Sequence, residues 1–305
     1  MLDLPVIDAH QHFWDLERNY LPWLSDEPQI SFRYGDYSAI RRNYLPTDYR
    51  RDTAALSLAG SVFVETEWDR RDPVGETRWV HDLAAREGLP TVMVCHAALN
   101  APDADAVLAR QSAFPLVRGV RHKPTAAPAP DAMEPGAPGS MSDPDWRRGY
   151  AQLAAHGFSF DLQTPWWHLT EAAQLNADFP ETLIVLNHTG LPSDRSANGL
   201  SGWRAAMTQF AAAPNVAVKI SGLGEPGTPW SLARNRDIIR QTIDIFGAER
   251  CMFASNYPVD SLVGGLGTIF DGFAAATDDL GHSVQAALFA GNARRFYRIE
   301  AGVAA

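Results

Sequence analysis

Eight short runs of β-branched and other apolar residues recur along the chain, at 4–9, 60–65, 91–96, 117–122, 158–163, 182–187, 215–221 and 250–256. Their starts lie 56, 31, 26, 41, 24, 33 and 35 residues apart, which leaves room in each interval for a strand, a loop, a helix and a return loop. Stretches with helical spacing lie between them. In 74–87, Trp79, Val80 and Leu83 fall on one face, with Arg78, Asp82 and Arg86 elsewhere. Further helices are predicted at 145–155, 169–178, 202–213 and 233–246, and two more at 264–276 and 282–297 close the chain. Several strands are apolar at nearly every position, as in 183–186 and 216–220, which predicts burial on both faces and parallel pairing. The expected fold is therefore α/β, a (β/α)8 TIM barrel. An open doubly wound sheet is the alternative that would alternate in the same way.

Two long interruptions break the period, after strands one and four. The first, 13–52, is rich in aromatics (Trp14, Tyr20, Trp23, Phe32, Tyr34, Tyr37). The second, 123–144, carries six prolines and cannot be helical. Both follow the C-terminal end of a strand, the face on which a barrel builds its site, so both are lid candidates.

Composition narrows the class. The chain has 305 residues, 36 acidic against 26 basic, a net charge of −10, and 46% hydrophobic residues, as in globular proteins. The strand spacing assigns 1–305 to a single barrel domain. An acidic chain without clustered Lys and Arg argues against nucleic-acid binding. No apolar run is long enough to span a membrane. The N-terminal residues do not read as a secretion signal, so the expectation is a cytoplasmic enzyme with a small-molecule substrate. The oligomeric state is not legible. Cys95 and Cys251 sit among apolar residues and read as buried thiols.

Polar residues gather where the strands run out. They are His10 and His12 on strand one, Glu65 on two, His96 on three, and Arg121 and His122 on four. Asp161 and Gln163 follow on five, His188 on six, Lys219 and Ser221 on seven, and Ser255 and Asn256 on eight. His10 and His12 are two apart and point to the same side of an extended strand, where two imidazoles can share a divalent ion. Arg121, His122 and Lys219 form a cationic group suited to holding substrate. Trp14, Trp68 and Trp166 follow strands one, two and five, and offer ring faces to a sugar-derived ring or close loops over the barrel.

These residues resemble a family. The segments VIDAHQHFW at 6–14, YLPTDYRRD at 44–52, LNHTGLP at 186–192, VKISGL at 218–223 and MFASNYPVD at 252–260 together resemble the amidohydrolase superfamily. The match lies in its amidohydrolase 2 branch, which holds sugar-lactone hydrolases such as L-fuconolactonases and L-rhamnonolactonases. The resemblance implies a (β/α)8 fold and hydrolysis of a cyclic ester. It also implies a site built from His10, His12, His188 and Asn256, with Arg121 or His122 holding substrate. One divalent ion, zinc foremost, on His10, His12 and His188 belongs to that expectation.

One departure matters. At the end of strand eight the superfamily typically carries Asp, which takes the proton of the attacking water, whereas this chain carries Asn256. An amide is no general base, so metal-free catalysis enters as an alternative and the base is sought elsewhere. Glu65, ending an apolar strand, is the first candidate, and its other reading is an ion pair with Arg121 or Lys219. His188 is the second. The expected reaction is attack of an activated water on the carbonyl of a small, sugar-derived lactone. Its rivals are nonoxidative decarboxylation of an aromatic acid on the same barrel and a sugar-binding relative without turnover.

Overall fold

The computed structural model describes residues 3–300. Eight strands form one parallel sheet in sequence order: β1 (Pro5–Gln11), β2 (Ser57–Val64), β3 (Val92–His96), β4 (Val117–Arg121), β5 (Ser159–Leu162), β6 (Ile184–Leu186), β7 (Val216–Ile220) and β8 (Cys251–Phe253). The ends meet just beyond β8. There the His12 N–H donates to Tyr257 O and the Asn256 N–H to His10 O, each at 2.8 Å. This is a (β/α)8 TIM barrel, and all eight strands fall within three residues of the predicted starts.

Alternation along the strands builds two apolar layers. Ile7, Val62, Val94, Val185, Ala217 and Met252 pack in one cluster with Ala290, Ala293 and Tyr297 from the C-terminal helices. Phe63, Met93, Val120, Phe160, Val218 and Phe253 face the other way and pack in the larger cluster with the helices. Period-two strands that are apolar on both faces require this layering.

Helices fill the intervals, with some differences from the sequence reading. Gly75–Glu87, Leu169–Asp178 and Leu232–Phe246 lie within one residue of expectation. Ala197–Ala211 starts five residues earlier than expected, because the Ser196 side chain caps the Gly199 N–H at 3.1 Å. Ala104–Ser112 was not anticipated. Its inward stripe is only Ala104, Val107, Leu108 and Gln111, too short and too mixed to stand out. The stretch 145–155 forms a helix only over Pro144–Tyr150, with a short turn at Ala154–His156. The last predicted helix divides into His282–Ala286, a wide turn at Ala287–Gly291, and Asn292–Phe296. No helix among the described residues is long and apolar enough to cross a membrane.

Two buried polar clusters tie the barrel together. The Asp8 carboxylate on β1 accepts from the Ser255 N–H (2.8 Å) and hydroxyl (2.5 Å) and from the Tyr49 hydroxyl (2.9 Å), joining β1 to the segment after β8. Asp161 on β5 accepts from Lys219 Nζ at 2.6 Å, from Asn187 Nδ2 at 2.9 Å and from the Tyr297 hydroxyl. Lys219 is fully buried in that pair. The sequence suggested Lys219 as a substrate contact, but its charge is spent inside the barrel, where an unpaired ammonium would carry a large desolvation cost.

Candidate active site

The pocket opens where the strands end. Between Asp8 and Gln11 the register advances three residues on β1 against two on β2, from Ser61 to Phe63. A bulge of this kind re-aims side chains. The His10 and His12 rings stand 4.9 Å apart, and the His10 and His188 rings 4.7 Å apart.

His188 and Asn256, just past β6 and β8, both adopt left-handed backbone (φ 54° and 56°), as does Glu67 after β2. Left-handed non-glycine residues are costly, and here they cluster on the pocket wall. The cavity measures about 380 Å³, a size suited to a small organic molecule. His12, Trp14, Arg121, His188 and Asn256 line it, with Gln163 after β5. The β1 loop, expected to act as a lid, contributes Trp23, Ile30, Ser31, Phe32 and Arg33. From the proline-rich loop only Lys123 reaches the cavity. The rest of that loop leans on the segment after β5, with the Ala127 N–H donating to His168 Nε2 and the Trp167 indole to Ala127 O.

Other candidates lie elsewhere. Trp68 packs on Trp79 and Trp166 against Gly202, outside the lining. The His122 ring lies over Trp146 while its Nδ1 accepts the Leu99 N–H at 3.0 Å, so it serves the β3–β4 loops.

Glu65 stands in the ion pair with Arg121 that was its other reading. It is buried and does not line the cavity. One carboxylate oxygen accepts Arg121 Nε at 2.7 Å and the other the Glu67 N–H at 2.8 Å, while Arg121 Nη2 also donates to the Glu65 carbonyl. Burial alone would raise its pKa, but the charge of Arg121, with His96 and Arg70, holds the carboxyl well below the usual range. Such a carboxylate has little affinity for a proton. These bonds fix Arg121, whose Nη1 reaches Gln163 Oε1 at 3.1 Å on the pocket wall.

The imidazoles are neutral. Burial pushes His12 down to about 3, helped by Arg121. It pushes His188 and His10 well below the ordinary value, the first aided by Arg33 and Arg121, the second by Lys219. His12 Nδ1 faces Val64 O at 2.7 Å, so that nitrogen carries the proton and Nε2 the lone pair. His188 Nδ1 meets the Ser221 hydroxyl at 2.9 Å. Both ring nitrogens of His10 are buried without a hydrogen-bond partner among the described residues.

Neutral rings with a backbone-anchored Nδ1 and orphaned nitrogens are the donor chemistry that a zinc-like ion uses. His10, His12 and His188 are thus the residues that would hold one. As they stand, no three His, Cys, Asp or Glu side chains among the described residues close around one point at bonding distance.

Gly222 supports this corner. It has φ 61°, and a Cβ there would come within 2.6 Å of His188 Nδ1 and 2.8 Å of Arg33 Nη2. Gly222→Ala is expected to displace the imidazole and lower kcat roughly a hundredfold, the scale of a 1 Å misplacement. Steady-state kinetics beside a thermal melt checks this, and an unchanged kcat would show that the ring has room.

The sequence reading passed over Arg33, Thr66, Glu67, Lys123, Leu191 and Val259 on the wall, and Asp260 behind it. The aromatic richness of 13–52 was the available signal for the loop. Asp260, four residues beyond Asn256, gave none.

Comparison with known proteins fits this geometry. A family model described as Amidohydrolase matches residues 7–299. The uncharacterised protein y4mH of Sinorhizobium fredii is 38% identical over 299 residues, covering 98% of this chain and all of that one. An L-fucono-1,5-lactonase of Burkholderia ambifaria is 30% identical, with 96% of each chain covered. A crystal structure of an amidohydrolase from Burkholderia multivorans with bound HEPES superposes with a TM-score of 0.80 at 27% identity, covering 97% of this chain and 99% of that one. A second crystal form, with bound zinc, gives 0.78.

Proposed function

We propose, from the premise that the chain belongs to the amidohydrolase family, that it opens a small, sugar-derived lactone by hydrolysis. The observation that carries this reading is one small cavity holding a neutral imidazole, His188, beside a rigidly aimed cation, Arg121. Those are the two groups that water addition to a ring carbonyl needs. The similarity to a protein named as an L-fucono-1,5-lactonase supports the same substrate class.

In this mechanism the lactone lies with its ring against Trp14 and its carbonyl toward the Arg121 guanidinium. Donors preorganised in a dry site stabilise the oxyanion as it forms. His188, with its Nδ1–H given to Ser221 Oγ, presents Nε2 to the attacking water and takes its proton. The same proton then returns to the ring oxygen as the C–O bond breaks. Asn256 orients the water or a sugar hydroxyl through its carboxamide. That base role belongs to the ion-free site; a divalent ion held by His10, His12 and His188 would take the His188 Nε2 lone pair and supply in its place Lewis-acid polarisation and a more acidic water.

A pH-indicator screen of sugar lactones, run with and without chelator, tests the proposal. Acid release from at least one five- or six-membered sugar lactone is expected. The chelator arm measures how much of the rate a bound ion supplies. No acid from any lactone with any added divalent metal would overturn the reading, and carbon dioxide released from an aromatic acid would replace it with decarboxylation.

A further inference from the structure

We infer that Asp260 is a positioning residue for the pocket. It holds the Asn256 carboxamide with its nitrogen turned away from the cavity and its carbonyl oxygen turned in, and it ties Arg33 and Tyr34 of the β1 loop to the end of β8.

The backbone of Asn256 is already fixed, because its N–H donates to His10 O and its C=O accepts the Asp260 N–H at 3.1 Å. Rotation of the amide is the freedom that remains. Asn256 Nδ2 donates to Asp260 Oδ1 at 2.6 Å. An ionised carboxylate only accepts, so it selects the amide face that presents N–H. Asn256 lines the cavity and Asp260 does not, so the selected orientation turns the acceptor oxygen toward the cavity, beside His12.

The same Oδ1 accepts the Tyr34 hydroxyl at 2.9 Å and stands 3.8 Å from Arg33 Nη2. Arg33 lines the cavity, and its guanidinium lies over the Tyr34 ring. One buried oxygen thus joins the loop wall to the strand-end wall. The other oxygen, Oδ2, is buried without a well-aligned hydrogen bond among the described residues, although the Gly222 N–H lies close enough to favour the carboxylate. Burial pushes the carboxyl up to about 6 against the lowering effect of Arg33, Asn256 and Tyr34. A carboxylate kept at such a site costs the fold stability, as functional groups commonly do.

The kinetic part of the test rests on the lactonase reading. Asp260→Asn is expected to lower kcat roughly tenfold to a hundredfold, the worth of one hydrogen bond to a charged group, with KM within about threefold of wild type. A melting temperature at or above that of wild type should accompany the loss. Asp260→Glu restores part of kcat, which a loss of packing would not allow. Tyr34→Phe removes one donor from the same oxygen and lowers kcat by about threefold.

A second readout is independent of turnover. In protein labelled with 15N-asparagine, the Asn256 carboxamide signal is identified by its loss in Asn256→Asp. It is expected to move in Asp260→Asn and return toward its wild-type position in Asp260→Glu.

Full kcat in Asp260→Asn overturns the inference and leaves the lactonase reading standing. If the wild type hydrolyses no lactone, that reading fails, and an unmoved carboxamide signal in Asp260→Asn then overturns the inference on its own. Should Asp260→Asn not fold, an unchanged kcat and carboxamide signal in Tyr34→Phe do the same.

Discussion

Replacing His188 with Ala lowers kcat on the hydrolysed lactone by roughly 10²- to 10⁴-fold, the range general-base catalysis supplies. The ring lines the cavity, is held neutral by burial, and is oriented through Nδ1 by Ser221. Glu65→Gln is the informative partner variant, because Glu65 lies outside the cavity with both oxygens engaged. It should affect the rate only through the aim of Arg121. Progress curves for both variants, with metal content measured on the same samples, separate a lost base from a lost ligand. Full rate in both variants would mean that neither supplies the base.

The second large effect concerns stability. Arg121→Met leaves the Glu65 carboxylate buried with Arg70 at 3.7 Å as its near cation, since burial pushes His96, 3.9 Å away, down to about 3 and so keeps it neutral. Removing one partner of a buried pair costs about 3–5 kcal/mol, since the remaining charge stays desolvated. Because Arg121 is itself nearly inaccessible, exposed solvent does little to soften the loss. Chemical denaturation should show this drop. The double variant Glu65→Gln/Arg121→Met should recover part of it, because it removes the orphaned charge. Activity should not return with stability, since the guanidinium that Glu65 aims at the cavity is gone. A double variant no more stable than the single one would show that the pair does not carry the cost.

Much of the architecture was legible. The strand count, the parallel sheet and the loops after β1 and β4 follow from apolar runs at regular distances and from proline content. The helix at Ala104–Ser112 was hidden because a nine-residue element with four inward positions scarcely departs from a polar loop. At the candidate site, the polar strand ends pointed to the end of the barrel where the cavity opens but did not sort their members. His12, Arg121, His188 and Asn256 reach the cavity, whereas Glu65 and Lys219 are engaged in buried pairs. Trp68 and Trp166 follow strands as Trp14 does, yet pack outward, because the direction of a loop side chain depends on what the loop rests against.

By itself, the sequence determined the order of the elements and the end of the barrel that carries polar groups, since both depend on local periodicity and on chain distance. Tertiary structure decided which groups are free to act. Glu65 and Arg121 are 56 residues apart, Asp161 and Lys219 are 58, and Tyr34 and Asp260 are 226. Whether a carboxylate is a base, a counter-ion or a clamp depends on which partner reaches it and how much water remains, and closing the barrel settles both.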